Sequence, residues 1–177
     1  NRSFFNKKKL GISTVRAGNV IGGGDWSKNR LIPDFIKSFQ NNKVLNIRMP
    51  KSTRPWQHVL EPLYGYLLLA KKQYKYNHKF SGNWNFGPDE FGVDVITLLN
   101  KINAQFDNKI KIKIRKSRNF NEANLLHLNC DKAKYYLNWK PKLNIEECLR
   151  FTAEWYKCYF NDKRNIFNFT KNQIIEY

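Results

Sequence analysis

Gly11-Ile12-Ser13-Thr14-Val15-Arg16-Ala17-Gly18-Asn19-Val20-Ile21-Gly22-Gly23-Gly24-Asp25-Trp26 is the stretch that decides the fold class. Its first third carries β-branched residues and then meets a run of glycines, which reads as a strand feeding a loop from Ala17 to Trp26. Gly22-Gly23-Gly24 is contiguous and runs straight into Asp25, so it lacks the GxGxxG spacing of a dinucleotide phosphate loop and reads as a flexible turn. No GxGxxG or GxxGxxG follows a strand anywhere in the sequence.

Outward from this segment, strand and helix signals alternate. Leu31, Phe35, Ile36 and Phe39 follow helical spacing from Arg30 to about Gln40, with Pro33 in the first turn, where its missing N–H costs nothing. Val44 to Arg48 alternates as a short strand, and 50–55 reads as a loop. A helix then starts at Glu61 and Pro62, with Leu63, Tyr66, Leu67 and Ala70 as its buried stripe and Lys71-Lys72 as its end. Trp84-Asn85-Phe86 reads as a buried strand stopped by Gly87-Pro88, and 95–106 as an amphipathic helix. Lys109 to Arg115 and Leu125 to Leu128 read as strands. Asp131 to Leu137, with Asp131 as candidate N-cap, and Ile145 to Phe160 read as helices, and the tail from Asn161 is expected to drape over the surface. The pattern is mixed α/β.

A formal charge of +18 would suit a polyanionic partner. The lysines, however, are scattered through the whole chain, in company with many Asn and Ile, which is a compositional bias and not a basic stripe. A basic nucleic-acid-binding module stays open as the reading of a different class, with nucleic acid the weaker expectation. The longest apolar run, Leu67-Leu68-Leu69-Ala70, is far short of the roughly 18 residues a bilayer requires, so a soluble protein is expected. Cys130, Cys148 and Cys158 have neither disulfide-framework nor zinc spacing, which points to a reducing cytoplasm and no metal site. Asn1 to Phe5 carries no initiator Met and no signal-peptide pattern, so the sequence is expected to continue a longer chain.

Three segments offer polar chemistry at the ends of β-type stretches: the loop with Asn19, the loop with Arg54 beside Trp56, and Asn85. In open α/β sheets ligands sit outside the carboxyl ends of strands, so these groups could share one crevice. Arg54 presents a planar fork of donors matched to phosphate oxygens, and Asn19 a donor and an acceptor on a short arm. An Asn after a strand is equally a turn former, an Arg beside Trp equally a surface cation, and Trp56 and Trp84 equally core. The residues by themselves give an anion-binding α/β chain and no more.

Arg16 to Trp26, Arg30-Leu31-Ile32-Pro33-Asp34, Arg54-Pro55-Trp56-Gln57-His58-Val59-Leu60-Glu61-Pro62 and Trp84-Asn85-Phe86-Gly87-Pro88, in this order and spacing, resemble the C-terminal half of the CDP-glucose 4,6-dehydratase family. These enzymes are NAD-dependent epimerase/dehydratases of the extended short-chain dehydrogenase type. The resemblance implies the small substrate-binding domain plus the late strands of a Rossmann sheet, with residues 1–177 as the substrate-binding portion and the NAD-binding portion absent. It implies that Asn19 hydrogen-bonds the substrate, that the backbone of Val20 faces NAD, and that Arg30 and Leu31 close over the nucleotide. Asn46, Ile47 and Arg48 would line the base pocket, Arg54 would clamp the diphosphate, Asn85 would add a polar contact, and Glu122 a later one.

The parent enzyme implied is a lyase that dehydrates CDP-glucose to CDP-4-keto-6-deoxyglucose, in deoxysugar and O-antigen biosynthesis, as a homo-oligomer. Its Tyr-xxx-Lys pair is expected before Asn1. None of Tyr64, Tyr66, Tyr74, Tyr135 or Tyr136 offers the pair in the expected place, so no catalytic residue is assigned, and the chain alone is expected to be inactive and to fold poorly for want of strand partners. A dehydratase or epimerase of dTDP- or UDP-hexoses is the same-class alternative, and a remnant that binds nothing is a further one.

Overall fold

The computed structural model describes residues 10–115 and 126–177. In chain order the elements are β1 (Ser13–Ala17), β2 (Asn19–Ile21), α1 (Leu31–Gln40), β3 (Leu45–Ile47), β4 (Thr53–Arg54), β5 (Trp56–His58) and α2 (Leu60–Tyr76). There follow β6 (Gly82–Phe86), β7 (Val93–Asp94), α3 (Val95–Gln105), β8 (Ile112–Ile114), α4 (Asp131–Leu137), α5 (Ile145–Asn161) and α6 (Ile166–Glu176).

The strands pair two by two. β1 runs parallel to β6 from Ser13 opposite Gly82 to Ala17 opposite Phe86, β2 parallel to β5, and β3 parallel to β8, while β4 meets β7 antiparallel. Parallel partners need long crossovers, and the helices supply them. The strands at Ile12 and Trp84 therefore find partners in each other, although Thr14, Val15 and Arg16 remain exposed on β1.

Two apolar clusters hold these pairs. One gathers Phe35 and Ile36 of α1, Leu45 and Ile47 of β3, Leu98, Leu99 and Ile102 of α3, and Leu149, Ala153 and Tyr156 of α5. The other packs Leu69 of α2 and Trp84 and Phe86 of β6 against Ala133, Leu137 and Trp139. Each fully buried Leu, Ile or Phe removes enough apolar surface to contribute about 1.5–3 kcal/mol. Local signals fix the helix ends. Asp94 caps α3 by accepting from the Thr97 amide at 2.9 Å, and Asn144 and Glu147 form a reciprocal capping box on α5.

Several expectations need correction. The segment after β1 is not all loop, because Asn19–Ile21 extends to pair with β5, and 50–55 likewise contains β4. Gly23 and Gly24 do form a turn, and it is closely packed. A Cβ on Gly23 would lie 2.0 Å from the Trp155 ring of α5, so the backbone must be bare for α5 to approach. In α2 the buried face is Glu61, Pro62, Gly65 and Leu69, whereas Leu63 and Leu67 are exposed, and the helix runs past Lys71-Lys72 to Tyr76. The reason is Gly65, whose missing side chain admits the Phe86 ring of β6 and so turns the 61/65/69 stripe to the sheet.

Glu61 lies in the first turn of α2, and its carboxylate is engaged by protein donors. It is fully buried, accepts from the amides of Lys142 and Leu143 at 2.8 and 2.7 Å, and accepts the Tyr177 hydroxyl at 3.0 Å. Burial pushes its carboxyl above the ordinary glutamate value, with those three donors pulling the other way. Asp131 is the first residue of α4 and not its cap, its amide being held by the Asn129 side chain. Residues 126–128 form no strand, and the tail forms α6, tied to α5 by Gln173, which donates to Phe151 O. No helix among the described residues is long and apolar enough to cross a membrane.

Candidate functional site

Where β2, β3, β4 and the start of α1 come together they enclose a cleft of about 490 Å3. β2 supplies Asn19 and Val20, with the Asn19 amide donating to Pro55 O at 2.8 Å, so that the Asn19 side chain is placed by the β2–β5 ladder. The opening turn of α1 supplies Arg30 and Leu31. β3 and the residue after it supply Asn46, Ile47 and Arg48, and β4 supplies Arg54. Eight residues singled out in the sequence, drawn from four separate segments, thus meet in one concavity.

Two do not. Asn85 lies on β6 opposite Arg16 and is absent from the cleft wall, because its Nδ2 is committed to Asn129 O at 3.0 Å, holding the approach to α4 against the sheet. Its Oδ1 is buried with no protein partner among the described residues. Glu122 lies outside the described residues.

The electrostatics of the cleft favour anions, modestly. Three arginines, Arg30, Arg48 and Arg54, face two carboxylates, Asp25 and Asp34. Arg30 is already engaged, its Nη1 being 2.8 Å from Asp25 Oδ2 at the mouth. Arg54 donates from Nη1 to Thr53 O at 3.0 Å, which fixes its guanidinium plane on the cleft wall. Asp25 is itself anchored, since its carbonyl accepts the Tyr156 hydroxyl at 2.7 Å, and burial raises that phenol above its ordinary value.

Two wall residues escaped the sequence reading. Asp25 was seen only as the end of a glycine run. Ser52 gave no signal at all, yet it is 3% exposed and its Oγ finds no protein partner among the described residues. Beneath the cleft, His58 of β5 is also buried, with Nδ1 accepting from the Leu60 amide at 3.4 Å and Nε2 unpartnered among the described residues. Desolvation lowers it to about 4, so it is neutral at ordinary pH. The spacing of Tyr and Lys four apart occurs at Tyr136/Lys140 and Tyr159/Lys163, but neither pair lines the cleft. Asn138, left-handed at φ 53°, breaks the first pair's helix, and Lys163 sits 5.2 Å over the Tyr159 ring in the second.

No protein-family model matches the chain. Among curated proteins it is 41% identical over 181 residues to CDP-glucose 4,6-dehydratase of Salmonella typhimurium, covering 99% of this chain and 50% of that protein. It is 22% identical over 166 residues to the dTDP-D-glucose 4,6-dehydratase of Mus musculus, covering 93% of this chain and 46% of that one. The chain thus spans about half the length of the curated relatives it matches. Among solved structures, an epimerase of Methanothermobacter thermautotrophicus superposes with a TM-score of 0.76 at 24% identity, over 89% of this chain and 46% of that one. The fold is thereby that of one half of such enzymes. Along its whole length the chain is thus similar to one half of a CDP-glucose 4,6-dehydratase, and its fold is that of the matching half of Rossmann-type epimerase and dehydratase structures.

Proposed function

We propose that this chain is the nucleotide-sugar-binding half of an NAD-dependent lyase that dehydrates CDP-glucose to CDP-4-keto-6-deoxyglucose. The observation that carries the proposal is the gathering of Asn19, Arg30, Asn46, Arg48 and Arg54 on one cleft wall, in a chain 41% identical to a CDP-glucose 4,6-dehydratase.

In this reading Arg54 holds the diphosphate by charge-assisted hydrogen bonds and Asn19 orients the sugar beside it. Arg30 and Leu31 close the mouth over the nucleotide, and Asn46, Ile47 and Arg48 flank the pyrimidine. Asn85 offers Oδ1 as a further polar contact, and Glu122 a later one. Bound NAD supplies the hydride acceptor and donor for the redox steps. The residues here fit one edge of that group: Val20 lines the cleft, and directly opposite it on β5 Gln57 keeps a buried Oε1 with no partner among the described residues while its Nε2 donates to Phe86 O at 2.8 Å. Among the described residues no glycine-rich phosphate loop follows a strand, so the remainder of the cofactor, and the acid and base groups of the elimination, belong in this reading to the other half of the enzyme. The chain alone is then a binding half without turnover, and the full-length enzyme a homo-oligomer.

Titration with a panel of CDP-glucose, dTDP-glucose and UDP-galactose tests the assignment. CDP-glucose should bind most tightly, and equal or absent binding across the panel refutes it.

A further inference from the structure

Resting on the proposed function, we infer that Ser52 is a recognition residue of the cleft, its hydroxyl reading the polar edge of the nucleotide's pyrimidine ring. Ser52 is 3% exposed, lines the cleft, and has no protein partner for Oγ among the described residues. A buried hydroxyl without a partner is a cost to the folded chain, and such a group normally finds a bond. The backbone of Ser52 is fully used: its amide donates to Met49 O at 3.3 Å and its carbonyl accepts from Val95 N at 3.1 Å. The side chain is thus fixed by a turn on one side and by the entry to α3 on the other, with the hydroxyl left over.

Position selects the part of the ligand. Ser52 and Arg54 both line the cleft, two residues apart along an extended segment, which separates them by about 6–7 Å. A nucleotide anchored at its phosphates on Arg54 carries its ribose and base across that distance. The cleft lining also carries the apolar Leu45, Ile47 and Val95, which suit a flat ring, and Ser52 is the one hydroxyl side chain among its described lining residues. A serine hydroxyl donates and accepts, so it can meet either the carbonyl or the ring nitrogen of a pyrimidine.

The test uses the whole chain and its Ser52→Ala variant, with CDP and inorganic pyrophosphate as calorimetric probes and thermal melting of the free proteins. The expected result is CDP affinity weakened about 3- to 10-fold, pyrophosphate affinity unchanged, and a melting temperature equal to or above that of the parent, since an unpartnered buried hydroxyl has been removed. Equal CDP affinity in the two proteins overturns the inference, as does an equal loss for CDP and pyrophosphate, which marks general damage to the cleft. Failure of the parent chain itself to bind CDP refutes the proposed function and takes this inference with it.

Discussion

Acid should unfold this chain through His58 in a defined pH window. The imidazole is buried against Phe151, with ring centroids 5.4 Å apart, and no carboxylate among the described residues is hydrogen-bonded to it. Its affinity for a proton falls from the ordinary value of 6.5 to about 4 in the folded chain. Each tenfold change in proton affinity is worth about 1.4 kcal/mol, so charging His58 in place costs about 3 kcal/mol. The direction follows from which state takes up the proton. Between pH 6.5 and about 4 the unfolded chain binds it and the folded chain does not, so stability is fully present above 6.5 and is lost as the pH falls through that range. Urea melts of the parent chain and of His58→Gln across this window give the answer by subtraction. The parent should lose about 3 kcal/mol more than the variant between the two ends. A difference between them that stays constant across the window refutes the buried, neutral imidazole.

Arg54→Ala should weaken CDP-glucose binding by about 1.5–3 kcal/mol through loss of a charge-assisted contact, read by calorimetry, with the melting temperature little changed. Glu61→Ala strands the amides of Lys142 and Leu143 and the Tyr177 hydroxyl, and should cost about 3 kcal/mol or more in urea melts. Gly65→Ala places a Cβ 2.3 Å from the Phe86 ring, so overpacking should cost about 1–3 kcal/mol of stability in the same melts.

The sequence made the α/β alternation legible because helical and strand periods are local properties: α1, α3, α5 and the cores of β3 and β6 fall where the spacing places them. What it missed depends on distant partners. The buried face of α2 is set by the Phe86 ring of β6 fitting against Gly65, and β2 and β4 are too short to be seen except through their pairing with β5 and β7. α6 was invisible because a weakly amphipathic segment becomes a helix by docking on α5. At the site, charge and motif marked the arginines and Asn19, whereas Ser52 carries no charge and no motif. Its interest lies in burial without a partner among the described residues, which only a structure can show. The bond from Asn85 Nδ2 was invisible for a related reason, since its partner is a backbone carbonyl forty-four residues along the chain.

The most direct test of the account is to locate the ligand. With isotope-labelled chain, addition of CDP-glucose should shift the amide and side-chain signals of Asn19, Arg30, Asn46, Arg48 and Arg54 together, at one saturating concentration. Shifts confined to the lysine-lined groove at Lys43, Lys109 and Lys111, or no saturable shift at all, would contradict it.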